Sequence, residues 1–413
     1  MKHLPLFVLM LTCSMATQAA GRVATNRHDA LTLEQAVELA EHQHPDLAEA
    51  TALVEAAEGR VQQSGKLPNP EAIARIEQAP FKGRTLDEAE YLAGIAQPVP
   101  LGSRLSKAKQ VEQLERDRRA RELEVRRREL RRRVHSAFAT ALYQERALLT
   151  QKGIVTSADK VVTTTKARLD AGDALREDLA RVEMEQARAR VELRRATAMR
   201  EQAMVALTAA IGDPALSVTT LDGTLDTTFE LPTMESLAVS LASNPTAALA
   251  DADIRASHAR VDLAKAQRIP DVKVEVLYRR LQAEKENAFD VGLSIPLPLF
   301  DRNQGRIREA RAEAAAAEAR SRSAQNDLTF RLRDAHAQLT AALANSRALK
   351  DEVLPRADTV LKSAEARYTA GDSSLSDVLP VRRDWAAVQL TYLESLRDVM
   401  QAWAALTPFV KAN

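Results

Sequence analysis

Apolar residues recur at every seventh position along one stretch of the chain: Val134, Ala141, Leu148, Val155, Val162 and Leu169. From Arg104 to about Asp170 there is no proline and one glycine, Gly153, so the stretch predicts a single unbroken helix. At 1.5 Å per residue it is roughly 100 Å long, far more than a globular domain needs. A sustained period of seven implies left-handed supercoiling against a neighbour. Gly172 supplies a turn. Leu175, Leu179, Val182, Ala189, Leu193, Ala196, Ala203 and Leu207 then predict a return helix packed on the first.

Elsewhere the period is two. Val272, Val274, Val276 and Tyr278 alternate with Lys273, Glu275, Leu277 and Arg279, while Phe289, Val291, Leu293 and Ile295 alternate with Asp290, Gly292 and Ser294. These patterns predict strands near 271–281 and 288–296. Less regular counterparts lie near 70–80 and 89–97, from Glu71 to Ala79 and from Glu90 to Gln97. Each is about nine to eleven residues, the length that crosses a bilayer when tilted.

The whole arrangement is written twice. ARLDAGD at Ala167–Asp173 returns as ARYTAGD at Ala366–Asp372, an offset of 199. QPVPL at Gln97–Leu101 answers IPLPL at Ile295–Leu299, and His44-Pro45 answers Asn244-Pro245, at offsets of 198 and 200. Landmarks that keep their spacing this well imply a duplicated half-chain unit. In the second copy Val378, Val381, Trp385, Val388, Tyr392, Val399, Ala402 and Leu406 hold the hairpin register. The first repeat then occupies residues 20–212 with its hairpin turn at 170–174. A Thr-, Asp-, Gly- and Pro-rich linker follows at 213–233. The second repeat occupies 234–413 with its turn at 369–373. Thr32 is placed to cap a helix at Leu33–Gln43, and Pro45 to open another that ends before Leu67. If that helix stacks end to end on the shorter hairpin arm, the pair nearly matches the long arm, and each chain contributes four helical columns.

Composition agrees with closely packed helices. The 413 residues are 45% hydrophobic but only 4% aromatic, and charged residues at 28% cancel to a formal +1. Met1 to Ala20 reads as a secretory signal, with Lys2 and His3, an apolar core at Leu4–Leu11 and a cleavage site at Thr17-Gln18-Ala19, so residues 1–19 are assigned to a signal peptide. The single cysteine, Cys13, lies inside it, and Met10-Leu11-Thr12 before it departs from a lipoprotein pattern. Gly21 to Asp29 is predicted disordered. Past the signal no apolar run approaches the length of a membrane helix.

Candidate chemistry is sparse. Arg116 to Arg133 is arginine-dense, but Asp117, Glu122, Glu124 and Glu129 interleave, which predicts a solvated helix face rather than a nucleic-acid site. His42 and His44 fall on different helix faces and join no metal cluster. No phosphate loop, nucleophile elbow or HExxH motif occurs. The expectation is no enzyme, no cofactor and no resident metal.

Alternating strands also suit an amphipathic sheet on a soluble domain. An export signal shifts the reading towards a membrane, where a sheet must close on itself because open edges leave backbone groups unsatisfied. Four strands cannot close. Eight make a barrel filled by its own side chains, and twelve can leave an opening. Three chains are therefore the smallest conducting assembly.

The layout resembles the TolC-type outer membrane factors over essentially the whole mature chain. The matching segments are LTLEQAVELAEHQHPDLAEA, RLDAGDALREDL, RYTAGDSSLSDVL and PLPLFDRNQG, and the last is most similar to the CzcC-type branch of heavy-metal efflux. The resemblance implies a mainly α fold with a small β part: a homotrimer whose twelve-stranded β-barrel in outer membrane lipid continues into a twelve-helix α-barrel in the periplasm. It implies docking to a periplasmic adaptor and an inner membrane RND-type pump. It also implies that the two hairpin turns, with Arg168, Gly172, Asp178, Arg367, Gly371 and Asp377, form the periplasmic tip and meet the adaptor, and that Asp178 and Asp377 are candidates for the pore aperture. A second tip acid three positions on, present in some relatives, is replaced here by Arg181 and Pro380. Two other readings stay open: an efflux channel for drugs or small molecules, and a soluble periplasmic coiled-coil scaffold or adaptor, although adaptors carry one hairpin and this chain has two.

Overall fold

The computed structural model of the protein describes residues 27–78, 89–226, 229–241 and 243–410. The signal segment with Cys13, the start at Gly21–Asn26, Ala79, linker residues 227–228 and the last three residues lie outside the described residues.

Helix α1, Leu33–Gln43, opens on a reciprocal cap: the Gln35 amide donates to Thr32 Oγ1 at 3.2 Å, and the Thr32 amide donates to Gln35 Oε1 at 3.1 Å. Helix α2, Pro45–Ser64, follows after His44, whose Nδ1 accepts from the Asp46 amide at 3.1 Å. Its counterpart α6, Pro245–Ala266, uses Asn244 in the same way, with Oδ1 accepting from Thr246 at 2.9 Å. The proline at each first turn gives up an amide that has no helical partner there. Helices α3, Arg104–Asp170, and α4, Arg176–Ile211, make the first hairpin. The second is built from α7, Gln304–Ala348, a π turn at Leu349–Val353, α8, Leu354–Ala370, and α9, Leu375–Leu406. A short α5, Met234–Leu241, precedes α6.

The short helices do stack end to end. A Cβ on Gly212, the C-cap of α4, would lie 3.0 Å from the Cα of His44 at the start of α2. In the second copy Asn244 Nδ2 donates to the Pro408 carbonyl just past α9, at 3.2 Å. Four columns result. Helix α3 is tied to α2 by Arg60–Glu112 at 3.2 Å and Arg133–Asp46 at 2.7 Å, and to α4 by Gln151 Nε2 donating to the Ala189 carbonyl at 3.2 Å. On its other side Arg260–Glu115 and Gln401–Thr140 join it to α6 and α9. Helix α7 completes the row against α6 through Arg320–Asp253 at 3.0 Å.

Two apolar clusters hold the columns together. Leu130, Val134, Phe138 and Leu142 of α3 meet Leu207 and Ile211 of α4, and Leu328, Leu332 and Leu339 of α7 meet Val399 and Leu406 of α9. Each such side chain contributes roughly 1.5–3 kcal/mol on burial. Between α6 and α7 the buried cluster is Val261, Ala264, Ala310 and Ala314, and the three alanines let the helices approach closely.

Three expectations are corrected. Arg27–Leu31 is not disordered but forms β1, paired in parallel with β4, Ser217–Leu221, inside the segment read as a linker. Leu31 and Leu221 carry that pair into the first core cluster, which is why it is ordered. Leu175 is 66% exposed rather than on the packed seam, because it precedes α4 as its N-cap. The second long arm is interrupted by the π turn.

Strands β2, Glu71–Glu77, β3, Glu90–Val99, β5, Val272–Leu281, and β6, Glu286–Ser294, form one antiparallel sheet in the order β2-β3-β5-β6. Both outer strands, β2 and β6, are free on one side among the described residues. No described helix is long and apolar enough to cross a membrane.

Candidate functional site

Two regions carry the molecule's chemistry, the hairpin tips and the sheet. Each tip is closed by a glycine with left-handed backbone angles, Gly172 at φ +86° and Gly371 at φ +83°. The helix ends are satisfied by matching wrap-around bonds: the Asp173 amide donates to the Arg168 carbonyl at 2.8 Å, and the Asp372 amide to the Arg367 carbonyl at 2.9 Å. Arg168 and Arg367 therefore contribute backbone to the turns. Their side chains differ in partner. The Arg168 guanidinium lies 5.0 Å from the ring centre of Tyr368, which joins one tip to the other.

Asp178 and Asp377 occupy equivalent positions in the first turns of α4 and α9. Asp178 Oδ2 accepts from the Leu175 amide at 3.2 Å. Asp377 Oδ2 accepts from both the Ser374 amide at 3.0 Å and the Ser374 hydroxyl at 2.8 Å. The Ser374 hydroxyl, then its amide, with Arg367 adding a weaker attraction, hold the Asp377 carboxyl below the usual carboxylate range. Both acids thus serve as helix caps, and the carboxylate of Asp377 stays ionised and exposed.

Further polar contacts brace the hairpins near the tips, and of the residues that make them periodicity marked only Trp385. Arg181 donates to Ser376, Arg382 donates to Ser157 at 3.0 Å and pairs with Glu365, and Trp385 Nε1 donates to Asp358 at 2.5 Å. One signal was available. Within the duplicated RLDAGD and RYTAGD motifs Leu169 becomes Tyr368, and that new ring is the one beneath Arg168. The arginine run on α3 is threaded with ion pairs, including Arg118–Glu115, Arg119–Glu122, Arg127–Glu124 and Arg132–Glu129. His44 is a helix cap, as described. His42 and His135 line an open pocket of about 390 Å³ between α1 and α3 with Glu38 and Arg131. Burial pushes His135 below its ordinary value, so its imidazole stays neutral more readily. Among the described residues no group of three or more metal-ligating side chains is placed to hold an ion.

The sheet has two contrasting faces, set by its register. Val276 pairs with Ile95 and Val291, and Tyr278 with Ala93 and Phe289, so one face presents Ile76, Ile95, Val276, Tyr278, Phe289, Val291 and Leu293. All of these large side chains are exposed. The other face is ionic. Lys273 pairs with Glu71 at 2.8 Å and Glu275 at 3.6 Å, while Arg279 reaches Asp290 at 2.5 Å, Glu77 at 3.5 Å and Glu90. A sheet with an uncovered apolar face and an ion-paired opposite face is the reverse of a soluble domain's sheet, which turns its apolar side inward.

A model of the outer membrane efflux protein family matches residues 36–213 and again 237–409. The chain belongs to that family. It is 29% identical over 372 residues, 90% of this chain and 88% of the other, to the cobalt-zinc-cadmium resistance protein CzcC of Cupriavidus metallidurans. In fold it is similar to a membrane protein from Pseudomonas aeruginosa, with a TM-score of 0.78 at 18% identity over 91% of this chain and 89% of that one. It is also similar to CusC, described for its folding and transmembrane channel formation, with a TM-score of 0.72 at 17% identity over 91% of both chains. Each of the two matches contains one hairpin together with the shorter helices and strands that precede it. The fold is that of the TolC-like outer membrane channels, mainly helical with a small strand part, and the family is one of channels rather than enzymes.

Proposed function

We propose that this outer membrane efflux protein is one of three identical protomers of a passive exit duct, in which three four-stranded sheets close into a twelve-stranded barrel in the outer membrane. The observation that carries the reading is the sheet itself: an exposed apolar face, an ion-paired face and two free edges. Joining β6 of one copy to β2 of the next satisfies both edges, turns the apolar face to lipid and gives the channel a polar lining. The helical columns of three copies then form a periplasmic tunnel. In this reading a periplasmic adaptor and an inner membrane RND-type pump supply substrate and energy.

The substrates are heavy-metal cations, a reading supported by the likeness to a cobalt-zinc-cadmium resistance protein along nine-tenths of the chain. They are cargo. In this reading the turns at Gly172 and Gly371, with Arg168 and Arg367, dock the adaptor, and the carboxylates of Asp178 and Asp377 line the tip aperture, where a ring of three favours cations. Restoring the gene to a strain that lacks it tests the substrate: regained growth in cobalt, zinc or cadmium is expected. Regained tolerance to organic drugs with none to metals would move the assignment to a drug channel.

A further inference from the structure

The tips and the sheet hold their carboxylates differently. At the tips Asp178 is held by a backbone amide and Asp377 by the amide and hydroxyl of Ser374. On the ionic face of the sheet the carboxylates are held by bases. Strand register puts Glu71, Glu77, Glu90, Glu275, Glu286 and Asp290 on that face. All but Glu286, at the start of β6, converge on two side chains of β5. Lys273 Nζ lies 2.8 Å from Glu71 and 3.6 Å from Glu275, and the Arg279 guanidinium takes Asp290 at 2.5 Å, Glu77 at 3.5 Å and Glu90. Each base thus stands where carboxylates of different strands meet. The same face is the crowded one: a Cβ on Gly94 would lie 2.1 Å from the Val276 carbonyl oxygen and 2.7 Å from the Leu277 Cα, so β3 and β5 close towards each other on this side. That curvature suits the inside of a barrel.

We infer that Lys273 and Arg279 keep the exit barrel from holding its cargo, by standing where divalent cations would otherwise bind. The inference rests on the reading of this face as the channel lining. Carboxylate oxygens that converge on one point are ligands for divalent metals, zinc included. Conduction needs binding favourable enough for entry and weak enough for release. An ammonium or guanidinium fixed to β5 satisfies the same oxygens and cannot diffuse away, so a passing cation meets ion pairs rather than bare acids. Arg279 suits the junction of three acids because its fork serves several oxygens at once, whereas the compact Lys273 ammonium serves the junction of two. Their neighbours on the face, Ile73, Leu92, Gly94, Ala96 and Leu277, bring no ligand atom of their own.

Single-channel recordings on the purified full chain, with zinc chloride added on the barrel side, test this. Lys273→Gln and Arg279→Gln each remove one charge and free a set of carboxylates. In both, zinc should block the current at a concentration at least about tenfold lower than in the unsubstituted channel, because ligand charge tunes affinity for divalent ions. Arg279→Lys, which retains the charge, should keep the original sensitivity. Lys273→Gln channels with unchanged zinc sensitivity would overturn the inference, even if Arg279→Gln, which strips the buried Glu90 of its partner, fails to assemble. A Gly292→Cys channel in a Cys13→Ser background separates this inference from the barrel reading, since Gly292 lies opposite Glu275 on the same face and has room for a Cβ. A cationic methanethiosulfonate should reduce its current. An unchanged current would show that the face does not line the channel and would overturn the barrel reading along with the inference. A reduced current beside unchanged zinc sensitivity in Lys273→Gln would overturn the inference alone.

Discussion

The two long hairpin arms have the same length and different integrity. Helix α3 runs unbroken for 67 residues, whereas α7, the π turn and α8 together cover the same 67 with a break after Ala348. The cause is local. Pro355 has no amide to give Asp351, and its ring would crowd that carbonyl in a regular α-helix; the Leu354 amide instead reaches back five residues to Leu349. At the offset of 199 the first repeat has Thr156, which donates its hydroxyl to the Lys152 carbonyl inside a continuous helix. A second proline, Pro380, lies inside α9 where α4 has Arg181. Duplication has thus preserved length and register, while proline interrupts the backbone ladder of one hairpin and not that of the other.

The strongest way to break this contrast is to give the first arm the second arm's proline. Thr156→Pro should cost about 3 kcal/mol or more in local helix stability and appear as fast amide exchange around residues 152–156, and Pro355→Thr should slow exchange across 349–355. Unchanged exchange in both variants would mean that proline does not set the difference.

The turns should behave alike, because neither glycine has a neighbour within 4 Å of an added Cβ. Gly172→Val and Gly371→Val should each strain the backbone by roughly 1–2 kcal/mol and weaken metal efflux while assembly persists. Full efflux with either variant would remove that turn from the docking surface.

The smallest effect concerns the capping acids. Asp377 has a lowered value in the folded chain, so its support of α9 is present above the ordinary carboxylate value of about 3.9 and is lost as pH falls through the lower folded value. Exchange near Ser374 should therefore rise only under strong acid in the native protein. Asp377→Asn should abolish that step and, if the carboxylates ring the aperture, reduce cation preference in single-channel recordings at low salt. Unaltered ion preference would leave Asp377 as a helix cap alone.

Much of this architecture was legible in the residues. Thr32 and Pro45 marked the starts of α1 and α2, the proline-free stretch marked α3, and the alternation of Val272–Tyr278 marked β5, because each rests on local rules of capping, backbone and periodicity. The β1–β4 pair was hidden, since five-residue strands separated by most of the first repeat become ordered only when Leu31 and Leu221 enter a shared core. The π turn was hidden too. A proline within a helical pattern announces a disturbance but not its kind. At the tips Gly172, Gly371, Asp178 and Asp377 came from a motif and a family likeness, while Arg181 and Arg382 act through contacts between hairpins, to Ser376 and Ser157, and Trp385 through Asp358 on the other arm of its own hairpin, none of which a single helix displays.

Assembly underlies every functional statement, because a four-stranded sheet with two free edges cannot close alone in lipid. Native mass measurement of the purified protein in mild detergent is the direct test. Three protomers are predicted, with conductance when the same particles enter a planar bilayer. A stable monomer that inserts in lipid, or a dimer that conducts, would contradict the account.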